Sequence, residues 1–366
     1  MRTMVLSFRN RSREGFLIPT PEAFESIGNL TFKELVNLRH RGAFTTVALT
    51  FATCCQNSKH VEQGAALLDA WYQGTMNAIF TQASTTRRSA GIPSLMTGIL
   101  STNAAHPSFE HVMEELMSIA RREARVAETD GSNLPQVHAY NCLKDIFKNS
   151  MLTSMGNKSE SYLPQCLELA ASGLRSEVWA IRNCGLIFLR SLIDCLFGSQ
   201  ESKSMIEAGW DGKANRIAYH RYPSLPAALR NLLKSGHETL AQTAATASAA
   251  ESVFPALDII RRAGPPELLR DEIQVHVAVY LSSPVWHVRE LAARTLTSCL
   301  LHDKWLQTIR SIFRDADASK TGNRQNHIHG VLLALKYVIE RLSEVALDQL
   351  KGKSFSTCDE HVTDGF

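Results

Sequence analysis

Ser176-Glu177-Val178-Trp179-Ala180-Ile181-Arg182 returns 107 residues further on as Ser283-Pro284-Val285-Trp286-His287-Val288-Arg289. Ser, Val, Trp and Arg recur in place, with Ile181 exchanged for Val288, so an internal repeat is the economical reading. Behind each copy the apolar residues run at helical spacing: Val178, Ile181, Gly185, Phe188, Leu192 and Leu196, then Val285, Val288, Ala292, Leu296 and Cys299. Ser283 before Pro284 supplies an N-cap and a first-turn proline.

Weaker echoes flank the pair. Val137-His138-Ala139-Tyr140-Asn141 lies 41 residues before Val178 to Arg182, and Arg88-x-x-Gly91 repeats the pattern of Arg182-x-x-Gly185. Asn326-His327-Ile328-His329-Gly330 opens a further periodic helix through Leu332, Leu335, Ile339 and Leu342. Thr31-Phe32-Lys33-Glu34 reads as a capping box that starts an earlier helix. A spacing near 40 falls in the HEAT and armadillo range of ~40–47 residues, so the chain is expected to be all-α, an armadillo/HEAT-like helical solenoid of roughly seven to nine repeats. Trp179 and Trp286 are then expected in the core between repeats.

Composition sets limits on function. The 366 residues are 44% hydrophobic and 20% charged, enough to bury a large core. A net charge of +3 leaves any nucleic-acid contact to local patches. The eight cysteines never form a Cys-x-x-Cys pair and mostly sit among apolar residues, as reduced thiols of an intracellular, cytoplasmic protein do. Met4-Val5-Leu6 is too short for a signal-peptide core, and the strongest apolar run, Leu186 to Phe197, is too short and too charged for a membrane span. Catalytic signals are missing. Gly352-Lys353-Ser354 follows a helical pattern, and Leu347 stands where a phosphate-binding loop needs glycine. There is no Gly-x-Ser-x-Gly, no His-Glu-x-x-His and no Gly-x-Gly-x-x-Gly. His327 and His329, two apart, make a poor metal pair on a helix.

Two stretches invite a binding role. Between Asp69 and Glu110 there is no carboxylate, and the only full charges are the arginines that open Arg87-Arg88-Ser89-Ala90-Gly91-Ile92-Pro93. Such guanidiniums bridge to a carboxylate on another helix, stay solvated, or meet phosphate. Ser89, Ala90 and Gly91 are small enough for backbone or phosphate to approach, and Pro93 is expected to bend or end the helix that carries the arginines. Residues 198–226, dense in Gly, Ser and Pro, read as a long loop. In it Lys213, Arg216 and Arg221 interleave with Tyr219, His220 and Tyr222, a mixture able to pair phosphates and stack on bases, or else a solvated loop whose tyrosines pack on the solenoid.

Several strings together resemble the THADA family, the thyroid-adenoma-associated protein and its fungal relatives. They are Arg39-His40-Arg41-Gly42-Ala43-Phe44, Arg87 to Pro93, Leu134-Pro135-Gln136-Val137-His138-Ala139, Asn141-Cys142-Leu143, Trp179-Ala180-Ile181-Arg182-Asn183, Arg221-Tyr222-Pro223-Ser224-Leu225 and Asn326 to Gly330. They occur in the family's order over about residues 26–345. The resemblance implies a solenoid without catalytic chemistry or a cofactor of its own. Its role would be the non-catalytic subunit of a tRNA 2′-O-ribose methyltransferase acting on the first anticodon-loop nucleotide. The partners would be tRNA and a separate FtsJ-like enzyme holding the S-adenosylmethionine. Arg87 to Pro93 matches the family's hallmark motif, which the resemblance ties to methylation activity.

On this reading residues 1–25 form an N-terminal extension, 26–350 the solenoid corresponding to the central family domain, and 351–366 a polar tail. The competing class is a general protein-interaction scaffold, with the same arginines merely bridging helices.

Overall fold

Thr20 Oγ1 accepts from Ala23 N at 3.2 Å and Pro21 follows it, and with that cap the first described helix begins. The structure is a computed structural model that describes residues 20–37, 41–82, 91–124, 134–154, 158–198, 206–207, 209–242, 252–301 and 324–356, with isolated positions between 307 and 314. It divides into two units, residues 1–195 and 196–366. Among the described residues there is no strand.

The first unit holds α1 (Pro21–Asn37), α2 (Arg41–Asn57), α3 (Gly64–Thr81), α4 (Ile92–Leu100), α5 (Phe109–Ala120) and α6 (Pro135–Lys148). It continues through the short α7 (Ser150–Ser154) and α8 (Lys158–Ser161) to α9 (Leu163–Arg175) and α10 (Trp179–Phe197). Helices alternate between two rows. α2 packs on α4, and α4 on α6, while α1, α3 and α5 form the second row against them. Asn141 Nδ2 sits 4.0 Å from Cys184 Sγ and the Tyr140 ring stands edge-on to Phe188, which sets α10 beside α6. The second unit holds α11 (Leu225–Gln242), α12 (Phe254–Ala263), α13 (Arg270–Val279), α14 (Trp286–Leu300) and α15 (Arg324–Ser356). Here α12, α14 and α15 make one row and α11 and α13 the other.

The repeat expected from sequence is an α-solenoid, and its register is written in hydrogen bonds between helices. Trp71 Nε1 donates to Asn29 Oδ1 across 42 residues, Gln82 Nε2 to Val36 O across 46, Thr295 Oγ1 to Leu257 O across 38 and Tyr337 OH to Glu290 Oε1 across 47. Those separations bracket the ~40-residue period that the motif echoes carry. The predicted core stripes are buried: Ile181, Phe188 and Leu192 on α10, and Val288, Ala292, Leu296 and Cys299 on α14.

Four expectations are corrected. Thr31 does not start a helix: it lies inside α1, 3% exposed, with Oγ1 donating back to Ile27 O and Gly28 O at 2.9 Å, so its hydroxyl is satisfied by the preceding turn. Pro93 does not end a helix but stands in the first turn of α4, where its missing N–H costs nothing. Trp179 and Trp286 are not core residues: they begin α10 and α14 and remain 49% and 47% exposed. On α15 the buried stripe is Val331, Ala334 and Val338, one residue out of phase with the expected one, and Leu332 and Ile339 are about half exposed. A narrow stripe lets α15 lie close to its neighbours, as Gly330 does: a Cβ there would come within 2.2 Å of Leu281 O.

Candidate functional site

The Ser-x-Val-Trp-x-Val/Ile-Arg motif builds a helix start. In the first copy Ser176 Oγ accepts from Val178 N at 3.2 Å, and Arg182 Nη1 reaches back to Ser176 O and Glu177 O, both at 2.8 Å. In the second, Ser283 Oγ accepts from Val285 N at 3.3 Å and Arg289 Nη1 donates to Ser283 O at 2.6 Å and Pro284 O at 3.1 Å. The guanidinium thus satisfies two carbonyls that no helix turn can reach. Arg289 is 8% exposed and its burial lowers its pKa, while Nε lies 3.4 Å from His329 Nδ1. His327 instead meets Ser282 Oγ at 2.7 Å, so the two histidines serve different partners. The conspicuous arginines of the repeat are structural parts.

Around the arginine heptapeptide the geometry is different. Arg87, Arg88, Ser89 and Ala90 lie outside the described residues; Gly91, Ile92 and Pro93 lie within them, and so does Gln82 on the near side. Both flanks are bonded to adjacent carbonyls in the last turn of α1: Gln82 Nε2 donates to Val36 O at 2.5 Å, and Gly91 N to Leu35 O at 3.0 Å. A Cβ on Gly91 would come within 2.2 Å of Leu35 O, so the small residue is used for contact with this chain's own backbone. His138, fully buried, brings Nε2 to 3.2 Å from Gln82 O. Burial lowers its pKa, so the ring is neutral and donates through Nε2, and Nδ1 has no partner among the described residues. Gln136 donates to Arg122 O and Glu123 O at 3.2 Å, which ties the start of α6 to the end of α5.

These bonds define one rim of the first unit. Here α1, α3, α5 and α9 end and α2, α4, α6 and α10 begin, so several helix N-termini, each with a partial positive charge, face the same way. Arg121 and Arg122 are exposed at this rim, with the Arg122 guanidinium 5.1 Å from the Phe80 ring centroid; Arg175 and Arg182 lie further along it, interspersed with Glu123 and Glu177. Sequence reasoning singles out the heptapeptide but misses the rim, because the helix polarity that makes it appears only when helices alternate.

In the second unit the described part of the expected basic and aromatic loop, from residue 209 on, is bonded to the end of α12; residues 199–205 and 208 lie outside the described residues. Trp210, 3% exposed, donates its backbone N–H to Arg261 O at 2.9 Å, and Arg341 Nε donates to Trp210 O at 3.1 Å. Tyr219 OH donates to Gly264 O at 2.7 Å and Tyr222 is 8% exposed. Tyr219 is half-buried and Tyr222 buried against the solenoid. Arg216 lies over the Phe197 ring at 5.6 Å, and Lys213, His220 and Arg221 are exposed. Six cysteines, Cys54, Cys55, Cys142, Cys166, Cys184 and Cys299, are buried free thiols, and Cys195 is half-buried. No described helix is long and apolar enough to cross a membrane.

Comparison with known proteins bears on both units. One family model, described as THADA/TRM732, DUF2428, matches residues 1–180, and a second, Trm732, C-terminal TPR repeats, matches residues 182–338. The chain is 29% identical over 350 residues to the tRNA (32-2'-O)-methyltransferase regulator trm732 of Schizosaccharomyces pombe, covering 91% of this chain and 22% of that protein. It is 27% identical over 355 residues to the human tRNA (32-2'-O)-methyltransferase regulator THADA, covering 91% and 18%. The Drosophila melanogaster relative of the same name is 24% identical over 357 residues, covering 86% and 20%. The chain therefore spans about a fifth of the length of the curated relatives it matches. No solved structure matches it. Matched over residues 1–180 and 182–338 by two models of one family, the chain belongs to the THADA/Trm732 family.

Proposed function

We propose that this chain is a non-catalytic regulatory subunit, or the central part of one, that supports tRNA 2′-O-ribose methylation at position 32 by a partner FtsJ-like methyltransferase. The observation that carries the reading is the family match over both units, with relatives named as regulators of that reaction. S-adenosylmethionine belongs on the partner, and the present chain contributes positioning. The rim geometry supports tRNA as the second ligand: helix N-termini and exposed arginines gather where the heptapeptide is anchored, a setting suited to phosphate. Arg87 and Arg88 enter as sequence candidates for that contact.

The test is a reconstitution. The tagged chain is purified from cells and its bound proteins and RNA are identified; the chain and the enzyme are then assayed singly and together on tRNA. Methylation requiring both is expected, with no cofactor binding to the chain alone by calorimetry. Tight S-adenosylmethionine binding to the isolated chain, or full activity of the enzyme without it, would overturn the proposal.

A further inference from the structure

Apart from single apolar residues such as Leu30 on α1 and Phe80 on α3, three helices, α5, α9 and α11, turn polar residues outward. On α5 the exposed positions include Glu110, His111, Glu114 and Ser118; on α9 they are Gln165, Glu168 and Ser172; on α11 they include Asn231, Lys234 and His237. That is the ordinary division of an amphipathic helix. α13 breaks it. Leu268, in the turn Glu267–Leu269 that leads into α13, is 98% exposed; Val275 is 64% exposed and Val279 37%. Positions 272, 275 and 279 share one face of α13, and Leu268 stands exposed in the turn immediately before it, next to that face in the chain. The same helix buries Ile273 and Val277 completely, so its core-facing stripe is already filled and the outward one is surplus to the fold.

Charge indicates what covers it. Glu267 and Asp271 are exposed beside the stripe and carry no ion pair among the described residues. Glu272 is held by Arg230 at 3.6 Å and His276 at 3.9 Å. The two unpaired carboxylates beside the aliphatic side chains disfavour a phosphate backbone, and Leu and Val offer no ring to stack on a base. The complement is a protein segment whose Lys or Arg side chains flank apolar anchors: the anchors cover the stripe and the cations meet Glu267 and Asp271.

We propose that the outward face of α13 is the docking seat of a protein segment with basic side chains around aliphatic or aromatic anchors. Resting on the regulatory reading above, the tRNA ribose methyltransferase supplies that segment. The unpaired Glu267 and Asp271 make this seat unsuited to RNA.

The test uses the 366-residue chain, the purified methyltransferase of the same organism, and a labelled tRNA anticodon stem-loop. Two variants are compared with the parent: Leu268→Ser with Val275→Ser, and Glu267→Lys with Asp271→Lys. All four positions are exposed, so thermal melts should match the parent. Calorimetry is expected to show each variant losing roughly 30-fold or more in affinity for the enzyme. The serine variant should keep its stem-loop affinity within about twofold by fluorescence anisotropy. Equal enzyme binding by parent and variants would overturn the seat while leaving the regulatory reading intact. A loss of stem-loop affinity in the serine variant would assign the face to RNA. A parent dimer that the variants dissociate in sedimentation would assign it to a second copy, and a Val275→Cys thiol that resists labelling in the chain alone would assign it to the chain's own residues. Failure of the parent to bind the enzyme at all would overturn the regulatory reading and this occupant together.

Discussion

Gly91 and His138 carry the local demands of the heptapeptide's surroundings. Gly91→Ala places a methyl within 2.2 Å of the Leu35 carbonyl that accepts the Gly91 N–H, so either the hydrogen bond or the helix contact must give. The expected cost is about 1–3 kcal/mol in a urea melt, well above the few tenths of an exposed Gly→Ala change. His138 gives a pH signature. Its folded-state pKa lies below the ordinary value of 6.5, because burial disfavours the imidazolium. As pH falls, the unfolded chain takes the proton first, so the contribution to stability is complete above about pH 6.5 and is lost below it. His138→Gln should keep the amide donor to Gln82 O and flatten stability between about pH 7 and 5 relative to the parent. Parallel curves for the two proteins would show that His138 titrates alike in both states.

Among the helices, the duplicated motif teaches most about what a sequence reveals. Its spacing announces the repeat, and the buried stripes behind it are where periodicity puts them. Trp179 and Trp286 escape that logic because a large aromatic suggests burial, whereas a residue at the start of a helix has no preceding turn to cover it. Thr31 is ambiguous because a capping box and a mid-helix threonine that bonds its own preceding turn share one local pattern. α15 offers two apolar stripes one residue apart, and the narrower one wins because it permits closer packing. The heptapeptide is legible as a charge anomaly, but its anchorage on α1 joins residues some 46 positions apart, as Gln82 and Val36 show, beyond any local pattern. The motif itself is testable. Arg289→Ala strips two carbonyls of their donor in a nearly buried place and should cost about 1.5–3 kcal/mol. Trp286→Ala, half exposed, should cost about 1 kcal/mol, well short of the ~3–5 kcal/mol of a buried tryptophan. The reverse order in chemical denaturation would restore Trp286 to the core.

For the protein as an assembly partner, charge placement is the governing feature. The chain's net charge of +3 exerts little long-range field, so on the proposed reading tRNA would be held by local concentrations of cations. Arg87 and Arg88 are the two full cations of the carboxylate-free stretch from Ala70 to Phe109, and the described flanks of their heptapeptide are fixed at the rim where helix N-termini gather. Arg87→Glu with Arg88→Glu replaces attraction by repulsion toward phosphate or an acidic partner surface. In a strain relying on a full-length relative carrying this segment, methylation at position 32 should be abolished while the thermal melt moves by no more than about half a kcal/mol. Alanine at both positions should give a milder form of the same defect. If the pair contacts phosphates, the salt dependence of tRNA binding should lose roughly two units of slope. A double variant that methylates normally, or that simply unfolds, would make the arginines bridges between helices and return the segment to a general interaction scaffold.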